Sequence, residues 1–326
     1  MTTDTTPSGS SPAITISGDP LESLRLATWA LAALAATMHA AQQAPLSEAL
    51  AADPERTAVL AAIGLVDVKA DPADQASDAA LQLALRLDDG SPRTAAAPHN
   101  LLLSSLRQAV RVASGEPLPT WGDHSDEVLL NQGRASARLG ALIAGKVVPE
   151  MPGLPERLAT EGARILDVGT GIGALGIELA RNLPQAEVLG IDIAERPLSL
   201  SVGEIENAPD VAGRVTVRHQ DVVDLADEDA FDLIWCPAVF LGGAVMEAAT
   251  PRLIAALRTG GSMVLAANPV VHDPLEVAVG RWMAVLSGGS DFDADDAAEA
   301  LEAAGLHGVR RFPTVPHGPI LVAGVK

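Results

Sequence analysis

Cysteine, tyrosine and positive charge are what this chain of 326 residues has least of. A single cysteine, Cys236, excludes an intramolecular disulfide framework and any cysteine-based zinc cluster, and it suits a reducing cytoplasm. Tyr is absent and Phe and Trp number four each, so a core or pocket is built mainly from aliphatic side chains. Lys and Arg together number 22 against 42 Asp and Glu, a formal net charge of -20. Such a field repels nucleic-acid backbones and anionic membranes. Long hydrophobic runs are also missing. The most apolar early stretch, Leu26 to Ala41 (LATWALAALAATMHAA), contains His39 and two threonines. It falls short of the roughly 18–20 apolar residues a bilayer span needs. The segment before it carries Asp4, Asp19 and Glu22 against Arg25, the reverse of the basic start of a secretory signal. The stretch therefore reads as a buried or dimer-facing helix, and residues 1–18, rich in Thr, Ser, Gly and Pro, as a disordered leader.

What is present suffices for a folded protein: 48% of residues are apolar, and the length suits two domains of about 100–200 residues. Residues 19–120 read as helical, with helix-like spacing at Leu46 to Leu50 and Thr57 to Ile63, a short strand at Ile63 to Val68 and a helix at Asn100 to Ala113. A linking helix region, 121–160, contains one long helix from Ser125 to Val148. From residue 161 strands alternate with helices. The strands are expected at Arg164–Val168, Glu187–Ile191, Arg214–Arg218, Phe231–Cys236 and Ser262–Ala267. The intervening helices lie near Ala174–Leu183, Pro197–Glu206 and Val245–Arg258, with a further helix at Asp293–Ala304. Crossovers of this length imply a mostly parallel sheet. The final strands, Gly308–Phe312 and Ile320–Val325, lie too close for a crossover and form an antiparallel hairpin.

The most informative segment is ILDVGTGIGALG, Ile165 to Gly176. A strand ends at Asp167-Val168, and Gly169, Gly171 and Gly173 permit a tight turn and close approach of a ligand to the backbone. Gly171, Gly173 and Gly176 also satisfy G-x-G-x-x-G, the dinucleotide fingerprint, which alone is a weak signal. Asp192 lies 19 residues beyond Gly173, at the distance expected of a carboxylate that accepts ribose hydroxyls. Asp167 sits inside the glycine turn, where it can receive turn amides or meet an ammonium group but would repel a pyrophosphate. Asp221 follows the third strand and suits an adenine amino group. Three carboxylates around one crevice favour a cationic ligand with an amino acid end.

In order and spacing, ILDVGTGIG, LGIDI, VRHQDV, FDLIWCP and LRTGGSMVLA resemble the successive motifs of class I S-adenosylmethionine-dependent methyltransferases. The resemblance covers about residues 160–326 and implies an α/β, Rossmann-like, seven-stranded sheet with a terminal antiparallel hairpin. The preceding helical region, including DPERTAVLAAIGLVDV, is more loosely similar to the winged-helix dimerisation domain of small-molecule O-methyltransferases. The implied cofactor is S-adenosyl-L-methionine, leaving as S-adenosyl-L-homocysteine. By this resemblance Asp167, Gly169, Gly171 and Gly173 hold the methionine portion and the first turn, and Asp192 binds the ribose with Ile193 against the adenine. Asp221 and Val222 take the adenine edge, and Cys236 and Pro237 lie near the sulfonium. The implied partners are a small-molecule methyl acceptor and a second copy in a homodimer, with no nucleic acid and no membrane.

A methyl on a sulfonium needs no covalent nucleophile or metal, only an acceptor held in line and, for some hydroxyls or amines, a general base. Plant-type O-methyltransferases place a His just past the fourth strand; here that segment, WCPAVFLGGAVMEAATPRLI, has none. The acceptor atom is O first, with N or C as alternatives. Candidate residues for the acceptor pocket are Trp121, His124, Asn131, Gln132, Phe240 and His272, each weighed against ordinary packing or solvation. The acidic run Asp291 to Gly305 reads as a helix start rather than a metal site. Two other functions compete: a non-methylating reaction that uses the bound sulfonium as a charge, and a winged-helix regulator. Against the second, residues 1–120 hold seven Lys and Arg against thirteen Asp and Glu.

Overall fold

The computed structural model describes residues 20–41, 43–63, 65–66, 103, 105–118, 123–270, 273–286, 288–314 and 318–326. The chain divides into two compact units, Met1–Glu116 and Pro117–Lys326. The described part of the first unit is helical: α1 (Pro20–Ala40), α2 (Leu46–Ala51), α3 (Pro54–Ala62) and a helical stretch at 105–113. Asp53 caps α3 by accepting from the Arg56 N–H at 3.0 Å, and Pro54 occupies the first turn, where a missing N–H costs nothing. Leu50, Leu60 and Val66 form a small core against Ala33 and Leu34 of α1. Helix α1 buries Ala30, Ala35 and Met38 and exposes Leu24, Leu26 and Trp29.

The short strand expected at Ile63–Val68 is not found at its described residues. Ile63 caps α3, and the Leu65 N–H reaches back to Leu60 O at 2.9 Å, so the apolar run ends a helix and fills the core. The wing region expected at 69–99 lies outside the described residues, as do 67 and 68.

The second unit is built on seven strands: β1 (Ala163–Val168), β2 (Ala186–Asp192), β3 (Val215–His219), β4 (Phe231–Cys236), β5 (Leu257–Ala267), β6 (His307–Pro313) and β7 (Ile320–Val325). Their order is β3-β2-β1-β4-β5-β7-β6, with β7 antiparallel to both neighbours and the other pairings parallel. Helices α7 (Ala174–Asn182), α8 (Glu195–Glu206), α9 (Gly243–Ala256) and α11 (Ala294–Ala303) complete the crossovers. The central strands are covered on both faces, which is why they read as unbroken apolar runs. Ile165, Leu233 and Val264 face one layer; Leu166, Ile234 and Leu265, one residue on, face the other.

Three boundaries differ from the sequence reading. The long helix expected at 125–148 is split into α4 (Asp126–Ala135) and α5 (Ala137–Leu142), followed by a π turn at Ile143–Val147 and a 3-10 turn at Val148–Glu150. Ser136 Oγ donates to Gly133 O at 2.6 Å, taking a carbonyl from the helix ladder at the break. Helix α9 stops at Ala256, and β5 begins immediately; Gly260, at φ +76°, and Gly261 carry the strand through an irregular register beside Phe231 and Leu233. Two helices went unread. One is the short α6 (Leu154–Leu158), the other α10 (Pro274–Leu286).

Residues 143–158, read from the sequence as a link, contribute Ile143, Val147, Met151 and Leu154 to the layer over β1 and α7.

Candidate cofactor crevice and acceptor rim

The turn between β1 and α7 is made by Gly169-Thr170-Gly171-Ile172-Gly173. All three glycines have positive φ (+66°, +56° and +78°), a region that side chains with a Cβ rarely enter. A Cβ on Gly169 would stand 3.5 Å from the Pro237 ring, whereas one on Gly171 would meet nothing within 4 Å. The backbone at Gly171 thus faces open space at the carboxyl ends of the strands.

This elbow is zipped to the end of β2. The Thr170 N–H donates to Ile191 O at 3.0 Å, and the Gly171 N–H to Asp192 Oδ2 at 2.8 Å. The other Asp192 oxygen accepts from the Ala194 N–H at 2.8 Å. Asp192 is half-buried, and each oxygen retains a second lone pair. Ile193, next along, exposes 66% of its surface. Its carbonyl lies 2.9 Å from His219 Nε2 at the end of β3. Asp221 caps the 3-10 turn Val222–Asp224 by accepting from the Val223 N–H at 3.1 Å, and the Val222 side chain is buried.

Asp167 is buried. Its Oδ2 accepts from Thr170 Oγ1 at 2.7 Å, and the Gly176 N–H also supports it. Burial pushes its carboxyl up to about 7, against the pull of the Thr170 hydrogen bond, and the nearby Asp192 charge adds to the rise. No cation shares this pocket among the groups that perturb it. Cys236, fully buried at the end of β4 with Met246 Sδ 4.0 Å away, has its thiol pushed up to about 12 by burial. A thiol so held is wall, not nucleophile.

Helix α4 crosses the elbow. A Cβ on Gly133 would fall 2.5 Å from Ile172 Cγ1, so this glycine exists for close approach. Two ion pairs tie α4 to α8: Arg134 grips Glu204 at 2.6 and 3.0 Å, and Arg196 meets Asp126 at 2.9 Å. Asn131, in the same turn as Gly133, is exposed. Past β4, Pro237 and Ala238 are buried while Phe240 is 77% exposed. The loop that follows α10 is stitched to this turn: the Ser290 N–H donates to Val239 O at 3.3 Å, and Asn268 Nδ2 reaches Ser290 O and Phe292 O at 3.2 Å. Leu275, Val279, Trp282 and Met283 form an exposed stripe along α10, and an open surface depression of about 620 Å³ is bordered by Pro274, Val277, Ala278, Arg281 and Trp282 of the same helix.

The strand order with its reversed last pair, the elbow at β1 and the acid at the tip of β2 are the arrangement of the class I methyltransferase fold. A family described as "Methyltransferase domain" matches residues 165–261. The match runs from β1 into β5. Over 129 residues the chain is 32% identical to a demethylmenaquinone methyltransferase of Deinococcus radiodurans, covering 39% of this chain and 52% of that protein. Over 71 residues it is 35% identical to a release factor glutamine methyltransferase of Rhodopirellula baltica, covering 22% and 24%. The chain thus spans between about a quarter and a half of these curated relatives. Among solved structures, CalO1, a methyltransferase in calicheamicin biosynthesis crystallised with S-adenosylhomocysteine, is similar at a TM-score of 0.56 and 19% identity, over 94% of this chain and 96% of that one. An O-methyltransferase family protein from Burkholderia thailandensis gives 0.54 and 16%, over 94% and 95%. These likenesses describe the fold.

Within the matched segment, Asp167, the three turn glycines, Asp192, Ile193, Asp221, Val222, Cys236 and Pro237 all gather at the carboxyl ends of β1 to β4, where doubly wound sheets bind ligands. Asn131 and Phe240 sit on flanking elements, and His124 is half-buried just ahead of α4. Trp121, His272 and the Gln132 side chain lie outside the described residues. Sequence reasoning missed Thr170 and Gly190, whose added Cβ would fall 2.5–2.7 Å from three Thr170 side-chain atoms. The available signal was a hydroxyl residue inside a glycine turn facing a glycine in the next strand.

Proposed function

We propose that the protein is an S-adenosyl-L-methionine-dependent methyltransferase acting on a small-molecule acceptor, with oxygen the first choice of acceptor atom. The observation that carries this reading is a half-buried Asp192 zipped to a glycine elbow whose backbone faces open space. The residues fit the cofactor: Gly171 leaves room where a side chain would intrude, and the carboxylates beside it suit a ligand bearing an ammonium and a sulfonium. When bound, that group supplies a methyl already activated by positive sulfur.

The chain's own residues then bind and orient. Asp192 accepts from the ribose hydroxyls while its turn contacts hold it in place. Asp221 and the Val222 backbone take the adenine edge, with Ile193 covering its face. Asp167 holds the elbow in shape, so that Gly169, Gly171 and Gly173 present backbone to the methionine portion. Pro237 closes the floor beside Gly169. The segment Pro237–Gly243 holds no titratable side chain, which favours an acceptor that needs little help in losing a proton. Phe240 would serve as an acceptor wall, with orientation and exclusion of water the main contributions.

The exposed Leu24, Leu26 and Trp29 of α1 support self-association through the first unit, giving a homodimer. No described helix is long and apolar enough to cross a membrane, and the lone buried thiol suits a cytoplasmic setting. Isothermal titration should show micromolar binding of S-adenosylhomocysteine to the wild type and a loss of about a hundredfold in Asp192→Ala. Unchanged affinity in that variant contradicts the ribose assignment. With methyl-labelled cofactor, label must appear in an acceptor; product formed without label would instead indicate a non-methylating reaction.

A further inference from the structure

The elbow is held by a residue that the cofactor reading does not use. Thr170 is buried, and each of its polar and apolar parts is engaged. Its N–H donates to Ile191 O at 3.0 Å, its Oγ1 donates to Asp167 Oδ2 at 2.7 Å, and its side chain fills the notch left by Gly190 on β2. The next residue, Gly171, donates its N–H to Asp192 at 2.8 Å. One side chain therefore joins the carboxylate of β1 to the strand that presents the carboxylate of β2.

We propose that Thr170 is a positioning residue for cofactor binding: its hydroxyl, anchored on Asp167, fixes the elbow so that the Gly171 amide aligns Asp192 toward the ribose. The inference rests on the ribose reading of Asp192 and adds a residue to it. A buried hydroxyl donating to a carboxyl group orients both partners. The neighbouring Gly190 leaves Thr170 a single snug seat, because any Cβ there would displace it. Removing the hydroxyl leaves the Asp167 oxygen short of a donor in a buried pocket, and the elbow must shift or recruit water to satisfy it. Either response moves the Gly171 amide relative to Asp192.

The test compares wild type, Thr170→Val, Thr170→Ala and Thr170→Ser by isothermal titration with S-adenosylhomocysteine and with its 3′-deoxy analogue. Thr170→Val and Thr170→Ala should weaken S-adenosylhomocysteine binding by about tenfold. Thr170→Ser, which keeps the donor, should recover to within about threefold of wild type. The penalty for deleting the ribose hydroxyl should shrink in Val and Ala relative to wild type, since Asp192 is then misaligned; a uniform loss of packing would leave that penalty unchanged. If Thr170→Val does not fold, the Ala and Ser pair decides. The proposal is overturned if the hydroxyl-free variants bind like wild type, if Ser is as weak as Ala, or if the ribose penalty is constant throughout. A wild type that fails to bind S-adenosylhomocysteine sinks the cofactor reading itself and this inference with it. A wild type that binds while the variants are unchanged sinks only the role of Thr170.

Discussion

Two buried carboxylates sit at opposite ends of the same sheet, and they are satisfied in opposite ways. At the amino end of β4, Asp232 accepts from Arg258 at 2.6 Å, from Arg157 at 3.4 Å and from the Arg164 N–H at 3.0 Å. Arg157 also donates to Thr259 O, and Arg164 lies over the Phe231 ring at 4.9 Å. At the carboxyl end of β1, Asp167 has a hydroxyl and a backbone amide. The first arrangement neutralises charge inside the fold and asks for no ligand. The second has no cation beside it, so burial holds its proton on up to about 7, and a cationic ligand nearby would favour its ionised form. Which end of a sheet binds is thus visible in whether its buried acids already have cations.

That contrast can be broken from either end. The largest expected effect is at the closed end: Asp232→Ala strands two guanidinium groups and should cost about 3 kcal/mol of unfolding free energy by urea titration. Binding of S-adenosylhomocysteine to the folded fraction should hold; a selective loss of binding would erase the distinction between the two ends. At the open end the expected effect depends on pH. The native Asp167 carboxyl keeps its proton up to about 7, while an unfolded one releases it near ~3.9. Between those values the unfolded chain binds fewer protons, so this group's contribution makes stability fall as pH rises, levelling off above about 7. Asp167→Asn cannot ionise and should escape that decline. Its stability relative to wild type should therefore climb by about 2 kcal/mol between pH 5 and 7, and a parallel pair of profiles would remove the cation-free pocket from the argument. The smallest effect belongs to the rim: Phe240→Ala, at an exposed position, should change stability by less than about 0.5 kcal/mol. Its kinetic signature should be a several-fold rise in acceptor KM with cofactor affinity unchanged.

The parts of the crevice that the sequence disclosed are those with a backbone or charge requirement visible locally. Gly169, Gly171 and Gly173 advertise positive φ, Asp192 and Asp221 stand at strand ends, and the runs ILDV and FDLIWC carry the burial of a two-sided sheet. What escaped depends on partners distant in the chain. Gly133 owes its place to Ile172, which lies 39 residues away. Thr170 escaped because its seat against Gly190 exists only once β2 is paired with β1. The run Ile63 to Val66 has strand composition but ends a helix, since tertiary burial beside Leu50 and Leu60 outweighs β propensity. Helix α10 was legible, since Leu275, Val279, Trp282 and Met283 recur at helical spacing, but it was passed over.

The two glycines that let the α4–α5 segment lie against the elbow and α7 differ in how they constrain one another's neighbours. At position 133 the obstacle to a larger residue is the Ile172 side chain, with Cγ1 2.5 Å and Cδ1 2.7 Å away, so an alanine there can be accommodated by trimming that side chain to alanine, whose Cβ stands 3.5 Å off. At position 140 the obstacle is the Leu175 carbonyl oxygen, 2.7 Å from where a methyl would begin, and no side-chain exchange can retreat from it. Divergent sequences sharing this packing should therefore show reciprocal size changes at 133 and 172, but a fixed glycine at 140.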